Sequence, residues 1–397
     1  MSNGARPRVL FLYDFPVHGG GSGAYVKYLM LRLSEAYGYQ LGIVRPDIET
    51  ISPKIQHYPI TVPQIPVYLG RPGLEGAKKY SDLSNHEIAD LYAGYISSLS
   101  AAVEAFKPDI IHCHHAMINS WAARYARSIY GKRVIITSHG SCLQAIAKDR
   151  RYLRMTRDAL RAAQAITVVS GDTRAKLLKM FGSDLSAKTR TIPGGIRLSL
   201  FPSKRPKVAD LRNKLGLEGQ KIALFTGRLI TEKGVEYFVK AAKDIRGHII
   251  IAGDGPQRQH LEEMVKKLNL KNVIMLPFVR KYEEFLDLYY LADVFVAPAV
   301  WDEPLGLTII EALASKTPVV ATRRGGVTMA IKDGYTGLFV RSRNAKEIAE
   351  AVNKLFDNDA LRAKMGERGR KIVEERFTWT NIAERFDKLY QDVYKYR

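Results

Sequence analysis

KIALFTGRLITEKGVEYFVKAAKD, residues 221–244, contains one strand, one loop and one helix in that order. Lys221 to Thr226 is a short apolar run stopped by Gly227, the pattern of a buried parallel strand. Val235 to Asp244 then places its apolar residues at helical intervals, after the turn Glu232-Lys233-Gly234. A strand that feeds a helix through a glycine-bearing loop is half of a βαβ unit.

The same unit recurs on both sides. Downstream, strands are expected at His248 to Ala252, Asn272 to Leu276, Val294 to Ala297 and Pro318 to Ala321, with helices at Gln257 to Leu268 and Leu307 to Ala314. Upstream, strands are expected at Arg8 to Tyr13, Leu41 to Arg45, Asp109 to His112, Val134 to Thr137, Ala165 to Val169 and Thr189 to Ile192, with a helix at Ala24 to Tyr37. This alternation predicts an α/β protein of two Rossmann-like, doubly wound parallel-sheet domains facing a central cleft. The Pro- and Lys-rich stretch FPSKRPKV, residues 201–208, reads as a linker between a domain at 1–200 and one at 201–376. Residues 377–397 place Ile382, Phe386, Leu389 and Val393 on one helical face, expected to dock back across the domains.

At 397 residues the chain is too long for one ordinary core, and its 46% hydrophobic and 25% charged residues fit a globular protein rather than a disordered or membrane-embedded one. Its excess of 61 basic over 40 acidic residues, a net +21, attracts phosphorylated ligands, anionic lipid or nucleic acid. Cys113 and Cys142 are too few for a disulfide framework and suit a reducing compartment. Without a leader-like or membrane-spanning segment, a cytoplasmic location is expected, with any membrane contact peripheral to an anionic inner surface.

The chemistry concentrates in WDEPLGLTIIEA, residues 301–312. Pro304 and Gly306 set a turn from which a helix starts near Leu307, so the N–H groups of Gly306, Leu307 and Thr308 are free to meet a phosphate. Glu303 sits in the loop, and Glu311 about one turn into the helix, where a carboxylate can accept two ribose hydroxyls. Arg228 and Lys233 add a planar fork and a point charge from the loop at 227–234. In the first half, GGGSG at 19–23 brings bare backbone to the start of a helix. Cations, helix N-termini and a glycine loop together describe a diphosphate site.

The segment GRLITEKG from Gly227, the Gly253-Asp254-Gly255-Pro256 turn, the pair Glu303 and Glu311, and Gly325-Gly326 with Asp333-Gly334-Tyr335-Thr336-Gly337 resemble retaining glycosyltransferases of family 4, with the GT-B fold. The resemblance implies hexosyl transfer from a nucleotide-diphosphate sugar, used as substrate, with no cofactor and no metal. It gives catalytic roles to Glu303, His139, Arg228 and Lys233. Donor contacts fall to Gly20, Gly21, Arg228, Lys233, Phe278, Val279, Glu303, Gly306, Leu307, Thr308 and Glu311, with Phe278 and Val279 beside the base. The acceptor is a sugar, lipid or glycan, and nucleic acid is not expected. Met329 stands where the family has Glu, Lys316 where glycine is common, and Ala299 where serine is frequent.

Other signals are weaker. Gly19-x-Gly21-x-x-Ala24 with Asp47 imitates a dinucleotide fingerprint, but Asp14 to His18 separate it from the strand. His112, Cys113, His114 and His115 on an extended segment alternate faces and cannot close a zinc tetrahedron. Ser170 is expected to cap a helix. Arg150, Arg154, Arg157 and Arg161 recur at helical spacing and predict one basic stripe, for anionic lipid or solvent. The rival to an enzyme is a non-catalytic basic protein of this fold that holds lipid or nucleic acid.

Overall fold

The computed structural model describes residues 6–17, 20–47, 49–60, 78–203, 206, 208–277, 279 and 282–395. They form two compact units, 1–194 joined by 379–397, and 195–378.

The first unit is a parallel sheet of β1 (Val9–Leu12), β2 (Leu41–Arg45), β3 (Ile55–Pro59), β4 (Ile110–His114), β5 (Arg133–Ser138), β6 (Ala165–Val168) and β7 (Thr189–Thr191). Their order is β3-β2-β1-β4-β5-β6-β7. The second sheet has β8 (Ile222–Thr226), β9 (His248–Ala252), β10 (Val273–Leu276), β11 (Val294–Ala297), β12 (Val319–Thr322) and β13 (Gly337–Val340), in the order β10-β9-β8-β11-β12-β13. Every strand pair is parallel, so the crossovers cover the sheet faces with helices and the central strands are apolar on both sides. The strand order reverses between β1 and β4 in one sheet and between β8 and β11 in the other. Loops at the carboxyl ends of those strands diverge there and leave a crevice, where open α/β sheets bind ligands.

Two strands escape the sequence pattern. Residues 55–59, IQHYP, bury only Ile55 because β3 is an edge strand, and Pro59 sits on it for the same reason. β13 is a four-residue edge strand that begins at Gly337. The unit boundary also falls earlier than the Pro-rich stretch, between Gly194 and Gly195. Phe201, the first residue of that stretch, is fully buried, its carbonyl accepts from Arg370 at 2.7 Å, and it belongs to the second unit.

The helix Trp379–Lys395 belongs to the first unit. Ile382, Phe386, Leu389 and Val393 are all buried. Tyr390 Oη lies 2.6 Å from His112 Nδ1, and Tyr39 donates to Asp387 at 2.8 Å, so polar bonds fix the register that apolar burial alone leaves loose. No helix among the described residues is long and apolar enough to cross a membrane.

Candidate functional site

In the second unit the loops after β8 and β11 bring the charged residues together. β8 ends at Thr226, and the chain turns through Gly227 and Arg228 into the single 3-10 turn Thr231–Lys233. Its exit is fixed by Leu229 N–H donating to the Asp254 carbonyl at 2.8 Å. Lys233 Nζ then lies 2.5 Å from Glu303 Oε2, which also accepts from Trp301 Nε1 at 3.1 Å. The Trp301 ring faces the same ammonium at 5.8 Å. A cation, a carboxylate and an indole therefore share one point, with Lys233 and Glu303 both largely buried.

Gly306 caps the helix Leu307–Ala314, and no side chain occupies the cap. Lys233, Glu303, Gly306 and Thr308 line one small pocket. Its electrostatics are mixed: the N–H groups at the helix start favour an anion, and the ammonium is for now neutralised by Glu303. Behind it, Gly326 N–H donates to the Glu303 carbonyl at 2.6 Å, so the Gly325 loop acts on Glu303 through backbone. Met329, in the turn Gly326–Met329, leaves that contact intact.

Glu311 sits on the same helix with both oxygens engaged, Oε1 by Tyr282 at 2.9 Å and Oε2 by Tyr289 at 2.7 Å. Burial raises its pKa, and the two phenol hydrogen bonds oppose the rise. Arg228 lies in the loop after β8 and is partly exposed. Val279 is described and Phe278 lies outside the described residues.

In the first unit Gly20 precedes the helix Gly21–Tyr37 at the end of β1, and His139 follows β5. His139 Nε2 lies 3.0 Å from His114 Nδ1, and His112 Nε2 lies 2.7 Å from Thr137 Oγ1. His112 and His114 share a face, their rings 4.2 Å apart, while Cys113 points into the core on the other side. The alternation stops at His115, which has φ +70° and turns its ring to within 4.7 Å of His139. Among the described residues no His, Cys, Asp or Glu group is placed to hold a metal. Nearby, Asp14 accepts from Tyr80 at 2.7 Å, and burial pushes its carboxyl up to about 7. This cluster was invisible in the sequence, where Asp14 served only as the end of an apolar run.

Burial also holds His112 and His115 down to about 3 and pushes His114 and His139 well below the usual range. These histidines are neutral when folded and take up protons when unfolded below pH ~6.5. Asp14 runs the other way, protonated in the fold and ionised once unfolded above about pH 4, so it cancels about one of the four protons. Stability of the first unit therefore falls as pH drops from 7 to 5, by on the order of a few kcal/mol per pH unit. Differential scanning calorimetry should show a lower melting temperature at pH 5 than at pH 7. An unchanged one would contradict the neutral cluster.

Three other expectations resolve. Asp47 pairs with the buried Arg45 at 2.5 Å, which engages the carboxylate that a dinucleotide ribose would need. Ser170 accepts from Thr173 N–H at 3.1 Å and caps the helix Gly171–Phe181. Of the arginine stripe, Arg154, Arg157 and Arg161 lie on the helix Leu153–Ala162, Arg150 lies in the 3-10 turn before it, and Arg161 pairs with Asp184 at 3.3 Å.

There are thus two doubly wound parallel sheets, and the switch point of the second carries a cation, two carboxylates and a bare helix start, a setting suited to an anionic ligand. Residues 19–200 match the model of Glycosyltransferase Family 4, and residues 207–372 that of Glycosyl transferases group 1. An uncharacterised glycosyltransferase of Methanocaldococcus jannaschii is 30% identical over 72% of this chain and 75% of its own. The chain belongs to the glycosyl transferases group 1 family. Sucrose-phosphate synthase from Thermosynechococcus elongatus superposes with a TM-score of 0.83 over 98% of this chain and 99% of that one, at 24% identity. Anabaena HepE in complex with UDP-glucose gives 0.77 over 97% and 100%, at 18% identity.

Proposed function

We propose that this glycosyltransferase moves a hexosyl group from a nucleotide-diphosphate sugar to a hydroxyl of a lipid-linked, glycan or small-molecule acceptor, with retention at the anomeric carbon. The observation that carries the proposal is the Lys233–Glu303 pair at 2.5 Å beside the open start of the helix Leu307–Ala314. A diphosphate entering there exchanges one anion for another at Lys233, and Glu303 is released toward the sugar. HepE, of the same fold, binds UDP-glucose, which supports the donor class.

In the reaction the bond from the anomeric carbon to the leaving phosphate oxygen breaks, a bond from that carbon to the acceptor oxygen forms, and the acceptor's hydroxyl proton passes to the leaving phosphate. Charge gathers on the diphosphate. Arg228, Lys233 and the N–H groups of Gly306, Leu307 and Thr308 stabilise it, with fixed donors that need no reorganisation. Glu303 orients the sugar and stabilises positive charge at its ring. The resemblance also gives a sugar contact to His139, kept neutral by burial, and backbone contacts to Gly20 and Gly21. The resemblance gives Val279 a place beside the base. Glu311 accepts from the ribose.

The test is a screen of UDP-, ADP-, GDP- and TDP-sugars with glycan, lipid and small hydroxylated acceptors, followed by release of the nucleoside diphosphate. Release from at least one donor, with the donor's anomeric configuration kept in the product, is expected. No release from any donor would favour a non-catalytic binding protein instead. Because cations and helix ends already neutralise the leaving group, turnover should persist in excess EDTA. Complete loss in EDTA, restored by magnesium, would contradict that part.

A further inference from the structure

Glu311, assigned above to the ribose, is occupied by two phenols that differ in kind. Tyr289 is fully buried, with its hydroxyl also 2.8 Å from Thr226 Oγ1 at the end of β8. Its ring is wedged between Phe285 and Phe295, at centroid distances of 5.4 Å and 5.6 Å. It is part of the scaffold. Tyr282 is the first residue of the helix Tyr282–Leu291 and is partly exposed. Its ring lies 6.1 Å from Phe285 and 6.0 Å from the Arg197 guanidinium, looser contacts at the outer side of the carboxylate.

A half-buried carboxylate is stabilised by a donor at each oxygen, and here two phenols supply them. Tyr282 supplies at Oε1 what a ribose also supplies, a hydroxyl donor at hydrogen-bond distance. Tyr289 supplies the other and, through Thr226, ties the carboxylate to the end of β8.

We propose that Tyr282 stands in for the ribose, covering Glu311 Oε1 in the ligand-free chain and giving it up when a nucleoside diphosphate binds, while Tyr289 is the positioning residue that keeps the carboxylate aimed. The proposal rests on the assignment of Glu311 to the ribose. Its consequence is a set-point on affinity. A nucleotide whose ribose hydroxyls reach Glu311 must break a phenol–carboxylate bond before forming its own, so the phenol lowers affinity for that ligand, whereas a ligand without those hydroxyls leaves the phenol in place.

The experiment titrates the full chain, by calorimetry, with whichever of UDP, ADP and GDP binds tightest and with its 2′,3′-dideoxy counterpart. Wild type should prefer the ribose form. Tyr282→Phe, which keeps the ring on Phe285, should bind the ribose form about five- to tenfold tighter and the dideoxy form unchanged. Tyr289→Phe should weaken the ribose form alone. Equal binding of both forms by wild type and by Tyr282→Phe alike overturns the ribose assignment itself. A wild type that discriminates, with Tyr282→Phe unchanged, weaker, or tighter for both forms alike, overturns the stand-in role and leaves the assignment in place.

Discussion

Replacing Lys233 by alanine should lower turnover of the nucleotide sugar by about 10²- to 10³-fold, the usual cost of removing one preorganised donor from developing negative charge. The proposed function puts its side chain where that charge forms, and its position is fixed: the ammonium is 2.5 Å from Glu303 Oε2 and 5.8 Å from the centre of the Trp301 ring. The loss should fall mostly on kcat, because charge on the diphosphate is larger in the transition state than in the bound donor. Lys233→Arg should recover little, since a planar fork does not fit a point between a carboxylate and an indole face. Steady-state release of the nucleoside diphosphate measures both. An alanine variant within tenfold of wild type would remove Lys233 from the chemistry.

The second large effect is on the scaffold. Gly325 has φ +68°, and a Cβ there would stand 2.3 Å from the Glu303 carbonyl oxygen and 2.7 Å from the Glu303 nitrogen. Those are backbone atoms that cannot swing aside. Gly325→Ala should cost about 3 kcal/mol or more, from left-handed strain plus the clash, and should displace Glu303 and abolish most activity. Gly334 is the control: its φ is +67°, but a Cβ there meets nothing within 4 Å. Gly334→Ala should cost only about 1–2 kcal/mol, with activity kept. Thermal unfolding separates the two; equal losses would mean that the approach to Glu303 is not what the glycine serves.

The sequence exposed what is periodic and local. β9 and β11 run over His248–Ala252 and Val294–Ala297 as expected, because buried parallel strands are continuous apolar runs with sharp ends. The helix start at Leu307 was legible from Gly306 for the same kind of reason. β3 was not, because an edge strand needs no apolar face and IQHYP has none. In the site, residue types and spacing pointed to Lys233, Glu303 and Glu311 separately. That Lys233 and Glu303 pair, that Glu311 is capped by Tyr282 and Tyr289, and that Asp14 lies 4.0 Å from His115 in a cluster of neutral histidines all depend on approaches across tens of residues. Such contacts leave no pattern in a single chain. His115 shows the limit most plainly, since one residue at φ +70° overturns the alternation that its neighbours obey.

The central claim is that the second unit holds a diphosphate through Arg228 and Lys233. Calorimetric titration of the full chain with a nucleoside, its monophosphate and its diphosphate, in wild type and in the double variant Arg228→Ala with Lys233→Ala, tests it most directly. Two charge-assisted contacts at about 1.5–3 kcal/mol each predict that wild type binds the diphosphate at least about 100-fold tighter than the nucleoside, and that the double variant loses most of that difference. A double variant that binds the diphosphate as tightly as wild type would contradict the account.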